Sequence, residues 1–349
     1  MAEPPSLSED LLAALRSRLT NSDSLIPVFS EHEKYLTDAT EQKGDAFALV
    51  MAERESDVVA VVQFCAENKL CVVPRGAGSG LSGGCVPSRG SLVLSTELIN
   101  HIEINTASRS AVCGPGAITK DLVDAALPFG LTYPPDPASY AESTMGGNVA
   151  ENAGGLRCKR FGVTRDYVIG LRGVLPDGNV ITSGMLGSAG GFSIGDLFIG
   201  SEGTLAILTE LAVRLIPMPA RGATILVAFD RPEDAAQTVS DITGAGIVPT
   251  VLEFLDGDAA ACSNQYEKND GLESVAALLL IETSGEYRDQ QTEAIGKLCT
   301  KNHASHLRVE TDTHLAEQLW KVRRNLSKAV KEIASIHISE DVAVPNSQF

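Results

Sequence analysis

Basic and aromatic residues are scarce in this sequence. It has 28 Lys and Arg residues against 45 Asp and Glu residues, a formal net charge of −17, and aromatic residues make up 5% of its 349 positions. A strongly negative protein repels the phosphates of nucleic acids and of anionic membranes. We therefore expect no nucleic-acid partner, and an anionic ligand needs hydrogen-bond donors concentrated at one place.

The seven cysteines lack the spacing of a metal cluster or a redox pair. No C-x-x-C motif occurs among them, a pattern that disfavours a disulfide framework and an iron–sulfur cluster within this chain. No apolar run approaches the ~20 residues that span a bilayer, and residues 1–19 lack the apolar region of a signal peptide. These absences predict a cytoplasmic protein without a transmembrane segment, at most peripheral at the inner face of the membrane.

The length and the 44% hydrophobic content favour about two domains. We predict an N-terminal helix and connection at 1–40, an α+β domain in two lobes at 41–219, and a second domain at 220–349. In the first domain a strand at 47–51, a helix with Ser56 as its N-cap and a strand at 70–73 form a β-α-β unit. The remaining elements predicted before residue 220 are helices at 8–19 and 119–128 and strands at 92–94, 102–104, 110–113, 168–174 and 205–215.

The second domain has a regular β-α-β-β-α-β pattern, which is typical of a ferredoxin-like fold. Its predicted strands are at 223–229, 250–255, 277–281 and 307–309, and its predicted helices are at 232–243 and 290–299. A helix at 313–334 and a strand at 336–338 follow, and the sequence then ends at Phe349 without a closing element. We therefore expect this domain to be incomplete.

The segment from Leu70 to Gly84 leads from a predicted strand into a loop of small residues. Glycines reach positive φ angles, so successive main-chain N–H groups can converge on an anion, and Arg75 can add a charge-assisted contact. Gly78, Gly80 and Gly83 fit G-x-G-x-x-G, but the strand at 92–94 follows too soon for the helix that a dinucleotide fingerprint must open. A Walker A site is excluded because no Gly-Lys-Ser/Thr follows. The loop predicts a phosphate site outside these two folds.

Four further segments have similarly little side-chain bulk, at 134–139, 143–155, 162–164 and 199–207. Each of them alone is about equally typical of an ordinary turn. Together with the glycine loop they indicate a long ligand with a diphosphate, a planar ring and a base in an apolar slot. FAD fits that description.

The runs Thr144–Gly155 and Gly200–Ile207, together with the glycine loop, resemble the FAD-binding domain of the vanillyl-alcohol oxidase or PCMH type. From about residue 40 to its end, the chain is similar to the flavoprotein 2-hydroxy-acid dehydrogenases of the glycolate oxidase and FAD-linked D-lactate dehydrogenase type. The resemblance implies a two-lobed PCMH-type FAD-binding domain at 41–219. It also implies an incomplete ferredoxin-like substrate (cap) domain of the FAD-linked oxidase C-terminal type at 220–349.

The resemblance further implies which residues hold FAD. The pyrophosphate would lie on Arg75, Gly76, Ala77, Gly78, Ser79, Gly80, Leu81 and Ser82. The flavin and its linker would be lined by Pro137, Ser139, Met145, Gly146, Gly147, Asn152 and Gly155, and the ribityl or adenosine portion by Val163, Thr164, Glu202, Gly203 and Ile207. Some relatives attach flavin through a His in the loop, and Ser79 at that place implies non-covalent FAD.

For the substrate, Trp320-Lys321-Val322-Arg323 resembles the family's W-x-x-R, whose Arg pairs with the substrate carboxylate. Without the resemblance, an Arg on a helix is most often solvated. The run at 339–345 resembles the family strand that lines the active site. We interpret His303 and His306, spaced as H-x-x-H, as surface residues and not as metal ligands.

The family's H-x-G-D-G-N-x-H segment, with its divalent-metal ligands and proton-accepting His, would lie beyond Phe349. We expect a divalent metal only if that segment exists. A general base contributes about 10² to 10⁴ in rate, so a chain without it would bind FAD yet oxidise its substrate poorly.

Together these features predict FAD-dependent oxidation of a short 2-hydroxy acid, D-lactate or glycolate, with hydride passing from C2 to flavin N5. Electrons would leave to a quinone, a cytochrome or an iron–sulfur subunit. One alternative is a non-catalytic FAD-binding subunit or a truncated remnant of such an enzyme. Another is an ether-lipid-type synthase or a cell-wall reductase built on the same FAD domain.

Overall fold

The structure is a computed structural model that describes residues 9–27, 32–186, 193–266, 275–324, 326–333 and 344. The chain divides into two compact units. The first comprises Met1–Gly155 with Gly162–Met218, and the second comprises Leu156–Phe161 with Pro219–Phe349.

The described helices are α1 (Glu9–Arg16), α2 (Glu55–Asn68), α3 (Thr119–Ala126), α4 (Met145–Glu151), α5 (Cys158–Phe161), α6 (Pro232–Gly244), α7 (Gly257–Tyr266), α8 (Arg288–Lys301), α9 (Thr313–Arg324) and α10 (Leu326–Ile333). The strands are β1 (Leu25–Ile26), β2 (Ala46–Met51), β3 (Cys71–Arg75), β4 (Ser91–Ser95), β5 (Ile102–Asn105), β6 (Ser110–Cys113), β7 (Leu131–Thr132), β8 (Val168–Val174), β9 (Val180–Gly184), β10 (Ile207–Arg214), β11 (Ile216–Pro217), β12 (Arg221–Phe229), β13 (Val251–Asp256), β14 (Ala277–Ser284) and β15 (His306–Glu310). Short 3-10 turns lie at Ser22–Ser24, Glu33–Leu36, Leu127–Phe129, Thr164–Asp166 and Ile194–Leu197.

The first unit contains a four-stranded sheet in the order β1-β2-β4-β3, in which β2 and β3 both run parallel to β4. Leu92 and Leu94 of β4 are fully buried, and Val58 and Val61 of α2 pack into the same core. The predicted β-α-β unit is confirmed, with β4 lying between its two strands. Residues 76–90, which contain the glycine loop and no helix, connect β3 to β4.

The beginning of α2 differs from the prediction. The helix begins at Glu55, and no side chain caps it, so Ser56 is not its N-cap. Asp57 instead accepts hydrogen bonds from the main-chain N–H groups of Thr20 at 2.8 Å and Glu53 at 3.1 Å. This buried carboxylate ties α2 to the segment that follows α1.

The first unit also contains a five-stranded antiparallel sheet, in the order β5-β6-β10-β8-β9, and the short pair β7–β11. The sequence pattern predicts β5, β6, β8 and β10 but neither β9 nor α4. The low-bulk run around Gly146 forms α4 because Thr144 caps it, its Oγ1 accepting the N–H of Gly147. A Cβ at Gly146 would lie 2.6 Å from Cβ of Pro115, so this turn of α4 approaches its neighbour through bare backbone.

The second unit is built on an antiparallel sheet in the order β13-β14-β12-β15. This order, with α6 after β12 and α8 after β14, confirms the predicted ferredoxin-like arrangement. One face carries a core of Val227, Leu279 and Ile295, and the other carries a core that includes Leu280 and Trp320.

The sequence pattern does not predict α7, which lies between β13 and β14. Within the helix predicted at 313–334, the described residues form α9 and α10, and residues 325 and 334 lie outside the described residues. The strand predicted at 336–338 and the run at 339–345, apart from Val344, lie outside the described residues.

Candidate functional site

The glycine loop presents main-chain N–H groups that have no acceptor in the described part of the chain. From residue 76 to residue 82, no main-chain N–H donates to another described residue, whereas the N–H of Gly83 donates to Asp38 Oδ2 at 3.0 Å. Main-chain donors in proteins are almost always paired with protein, water or a ligand. A run of free amides on a loop of small residues is a binding surface for an anion.

The guanidinium of Arg75 is buried and donates to main-chain oxygens of an earlier segment, and its predicted contact with the phosphate stays a prediction. It is 4% exposed, and its Nη1 and Nη2 donate to the main-chain oxygens of Thr37 at 2.6 Å and Lys34 at 2.7 Å. A Cβ at Gly78 would lie 2.0 Å from Nη2, so the cation packs directly against the loop. Arg75 therefore supports the loop and adds positive charge beneath it, while its Nη donors are directed at carbonyls.

A cavity of about 250 Å³ opens beside the loop. Most of the predicted FAD residues line it, namely Arg75, Gly76, Ala77, Gly78, Ser79, Gly80, Leu81, Ser82, Pro137, Ser139, Gly146, Gly147, Glu202, Gly203 and Ile207. These residues come from the β3–β4 connection, α4, the segment before α4 and the turn before β10. The structure thus brings four separate low-bulk segments of the sequence to one place.

Five predicted residues are not part of the cavity wall, namely Met145, Asn152, Gly155, Val163 and Thr164. Met145 and Thr164 are fully buried. Asn152 ends α4 in the left-handed conformation, with a φ of 51°. These five residues therefore lie outside the cavity wall in this structure. Their contact with FAD stays a prediction.

The wall also contains residues that sequence reasoning missed, among them Asp38, Thr96, Pro115, Thr144, Asn148 and Glu151. Asp38 precedes β2 and carries no local sign of a ligand site. Glu151 is the last residue of α4, a helix that the run of small residues does not predict. Only the tertiary structure brings these two carboxylates to the glycine loop.

The cavity is acidic apart from Arg75. Asp38, Glu151 and Glu202 line it, and Ser82 Oγ donates to the carboxylate of Glu151. Burial raises the pKa of Glu151, the Ser82 hydrogen bond opposes this shift, and the charges of Glu202 and Asp38 add to it. A diphosphate bound here would be held by main-chain dipoles, since nearby side chains contribute net negative charge.

Two glycines of the cavity wall pack so closely against protein atoms that a side chain would not fit at either position. A Cβ at Gly76 would lie 2.2 Å from Thr144 Oγ1, and at Gly203 it would lie 2.6 Å from Pro74 Cγ. Contact with bare backbone suits a flat or extended ligand, and the free amides suit its anionic part. The residues present therefore fit the diphosphate and ring of FAD.

Comparison with known proteins agrees with this geometry. Residues 46–184 match the family model described as FAD binding domain, and residues 218–349 match FAD linked oxidases, C-terminal domain. Glycolate oxidase subunit GlcD of Bacillus subtilis is 40% identical over 321 residues, which cover 90% of this chain and 68% of that protein. The chain belongs to the FAD-linked oxidase family.

Other relatives support the same assignment. D-lactate dehydrogenase of Archaeoglobus fulgidus is 32% identical, over 93% of this chain and 74% of that protein. GlcD of Escherichia coli K12 is 33% identical, and the chain spans 60% of its length. This FAD-linked oxidase is an oxidoreductase whose cofactor is FAD.

The solved structures of low identity show the fold. A structure of alkyldihydroxyacetonephosphate synthase has a TM-score of 0.80 at 18% identity, covering 97% of this chain and 68% of that one. p-Cresol methylhydroxylase has a TM-score of 0.76 at 17% identity, covering 93% and 71%. The first unit of this FAD-linked oxidase thus has the PCMH-type FAD-binding fold.

In the second unit of the FAD-linked oxidase, Arg323 lies in the last turn of α9 and is partly exposed. Its Nε donates to Glu253 Oε2 at 2.6 Å. Among the described residues, neither Nη group has a hydrogen-bond partner, so this edge of the guanidinium is available to an anion. Trp320, one turn earlier, is buried in the core.

The described residues of this FAD-linked oxidase contain no cluster of three or more His, Cys, Asp or Glu side chains that could hold a metal ion. His306 lies at the exposed start of β15. None of the described helices has the length and apolar character needed to cross a bilayer.

Proposed function

We propose that this FAD-linked oxidase oxidises a short 2-hydroxy acid, with D-lactate and glycolate as the candidate substrates. The names of the relatives from B. subtilis and A. fulgidus support this substrate class. The observation in this chain that carries the proposal is the Nη edge of Arg323, which has no partner among the described residues, on a unit that matches the C-terminal domain of FAD-linked oxidases.

We propose that FAD binds non-covalently in the cavity of the first unit. The N–H groups of residues 76–82 would bind its diphosphate, because they have no acceptor among the described residues. Pro137, Ser139, Gly146 and Gly147 would line the flavin and its linker, and Glu202, Gly203 and Ile207 the ribityl or adenosine portion. When bound, FAD supplies the two-electron acceptor for the hydride at C2 of the hydroxy acid.

The proposed task of Arg323 is to bind and orient the substrate carboxylate. A guanidinium can form two parallel hydrogen bonds with a carboxylate, and this pairing fixes direction as well as distance. Within the described part of the chain, Glu253 pairs with Nε and both Nη groups remain for that contact. Oxidation removes the C2 hydride and the hydroxyl proton and leaves a 2-oxo acid.

The electrons would then pass to a quinone, a cytochrome or an iron–sulfur subunit. The B. subtilis relative is named as a subunit of glycolate oxidase, which is consistent with such a partner. Reduction of a quinone or a cytochrome by the substrate-reduced protein would identify the acceptor class.

A second candidate function is FAD binding without turnover, as a subunit that stabilises a complex. The chain spans 60% to 74% of the three relatives named above, so their activity is not transferred to it directly. Anaerobic addition of D-lactate or glycolate to the purified yellow protein separates the two candidates. Bleaching of the flavin absorbance supports oxidation, whereas an unbleached spectrum with both acids supports the binding subunit.

A further inference from the structure

The glycine loop is attached to a segment that precedes the matched FAD-binding domain. Residues 33–44, here called the strap, lie before β2, and the family model begins at residue 46. Ala39 N–H donates to the main-chain oxygen of Gly80 at 3.2 Å. The strap therefore contacts the loop through its main chain as well as through side-chain hydrogen bonds.

Arg75 forms the first side-chain connection between strap and loop. Arg75 donates to the main-chain oxygens of Lys34 and Thr37 in the strap, and its guanidinium carbon lies 5.4 Å from the ring centre of Tyr35. Tyr35 in turn donates to Glu97 at 2.6 Å. The strap therefore holds the Arg75 guanidinium in the position where it packs against Gly78.

Asp38 forms the second connection. Its Oδ2 accepts the N–H of Gly83 at 3.0 Å, and its Oδ1 accepts both the N–H and the hydroxyl of Thr40. The side chain is 7% exposed and lines the cavity. Three hydrogen bonds to one buried carboxylate hold its orientation, and through it they hold the far end of the loop.

We propose that Asp38 is a positioning residue for FAD, which sets the conformation in which the amides of residues 76–82 converge on the diphosphate. A carboxylate beside a diphosphate repels it, so charge alone would make Asp38 unfavourable. The hydrogen bond to Gly83 gives the opposite effect, since it keeps the loop in its anion-binding shape. If charge repulsion dominates, removing the charge of Asp38 will tighten FAD binding. If the positioning of the loop dominates, the same change will weaken FAD binding.

The test is the FAD dissociation constant of Asp38→Asn, measured by flavin fluorescence on apo-protein that circular dichroism shows to be folded. We expect Kd to rise about tenfold, because the single amide oxygen of Asn cannot accept from both Gly83 and Thr40 as the two carboxylate oxygens do. The visible spectrum of the FAD-saturated variant should match that of the unaltered protein, because the flavin end of the site is untouched. Unchanged or tighter binding would overturn the proposal.

Asp57→Asn is the matched control. Asp57 is a buried carboxylate of the same unit that also accepts two main-chain N–H groups, but it does not line the cavity. The Asp57→Asn variant should have a lower midpoint of thermal unfolding, and its FAD dissociation constant should stay within about twofold of that of the unaltered protein. If both variants weaken FAD binding equally, Asp38 acts through general stability and the proposal is wrong.

Thr40→Val provides a second variant if Asp38→Asn does not fold. It removes the hydroxyl that donates to Asp38 Oδ1 and keeps the carboxylate. We expect a rise in the FAD dissociation constant of about threefold, in the same direction as for Asp38→Asn. A constant equal to that of the unaltered protein would contradict the positioning role.

Discussion

Ser82 Oγ lies 3.0 and 3.1 Å from Oε1 and Oε2 of Glu151, so one hydroxyl joins the glycine loop to the last residue of α4. The carboxylate of Glu151 lines the cavity in which we propose that FAD binds. Its protonation state therefore bears on how tightly the cavity holds an anion.

FAD binding should depend on pH through Glu151, whose pKa is raised by burial and by the charges of Glu202 and Asp38. Protonation removes a negative charge beside the diphosphate, so affinity should increase as the pH falls through this raised pKa and decrease as the pH rises above it. Titrations of FAD between about pH 5 and pH 8 would measure the slope.

Glu151→Gln is the variant that isolates this effect. It keeps a hydrogen-bond acceptor for Ser82 and removes the charge, so its FAD affinity should vary less with pH and should exceed that of the unaltered protein by about threefold at neutral pH. Asp38, Glu202, Arg75 and Cys85 also line the cavity and are unchanged in this variant. If FAD affinity varies with pH equally in both proteins, the pH dependence must come from one of these other lining residues and not from Glu151.

Gly76→Ala should damage the FAD site. Its Cβ would lie 2.2 Å from Thr144 Oγ1, so either the loop moves or the cap of α4 breaks, at a cost of about 1 to 2 kcal/mol in the free energy of unfolding. The FAD dissociation constant should rise at least about tenfold, as measured by fluorescence titration.

Gly296→Ala is the control for this substitution. Gly296 lies inside α8, with nothing within 4 Å of a Cβ. Alanine there should stabilise the protein by up to about 1 kcal/mol and leave FAD binding unchanged. Equal FAD affinity in the two alanine variants would show that close approach at Gly76 is not required.

Arg75→Met should destabilise the protein in the absence of FAD. Two main-chain oxygens of the strap would lose their donors at a part-buried site, which costs about 2 to 4 kcal/mol in the free energy of unfolding. Chemical denaturation of the apo-protein would measure it, with the exposed Arg89→Met as control. Unchanged apo stability together with lost FAD binding would restore the direct phosphate contact that the sequence predicts.

Arg323→Met should raise the apparent KM for D-lactate or glycolate at least about tenfold, because it removes the proposed carboxylate contact. FAD content should not change, since Arg323 belongs to the second unit. Arg308→Met, which removes another Arg of that unit that is paired with a carboxylate, should leave the KM unaltered. An unchanged KM in Arg323→Met would remove Arg323 from the proposed site.

Sequence periodicity was sufficient for most strands of the three larger sheets and for the ferredoxin-like order, because the spacing of apolar residues in buried strands and amphipathic helices is visible in the sequence. It failed at α4, where Gly146 and Gly147 are poor helix formers and the Thr144 cap and the packing against Pro115 decide the outcome. Glycine content indicated an anion-binding loop but not the role of Arg75. That role depends on carbonyl groups about 40 residues earlier in the chain, which no local pattern reveals.

The central claim is that the main-chain N–H groups of residues 76–82 bind the diphosphate of FAD. Amide hydrogen exchange, followed by mass spectrometry with and without FAD, tests it most directly. We predict fast exchange across residues 76–82 in the apo-protein, where these groups have no acceptor among the described residues, and strong protection once FAD is bound. Protection elsewhere in the first unit with no change at residues 76–82 would contradict the account.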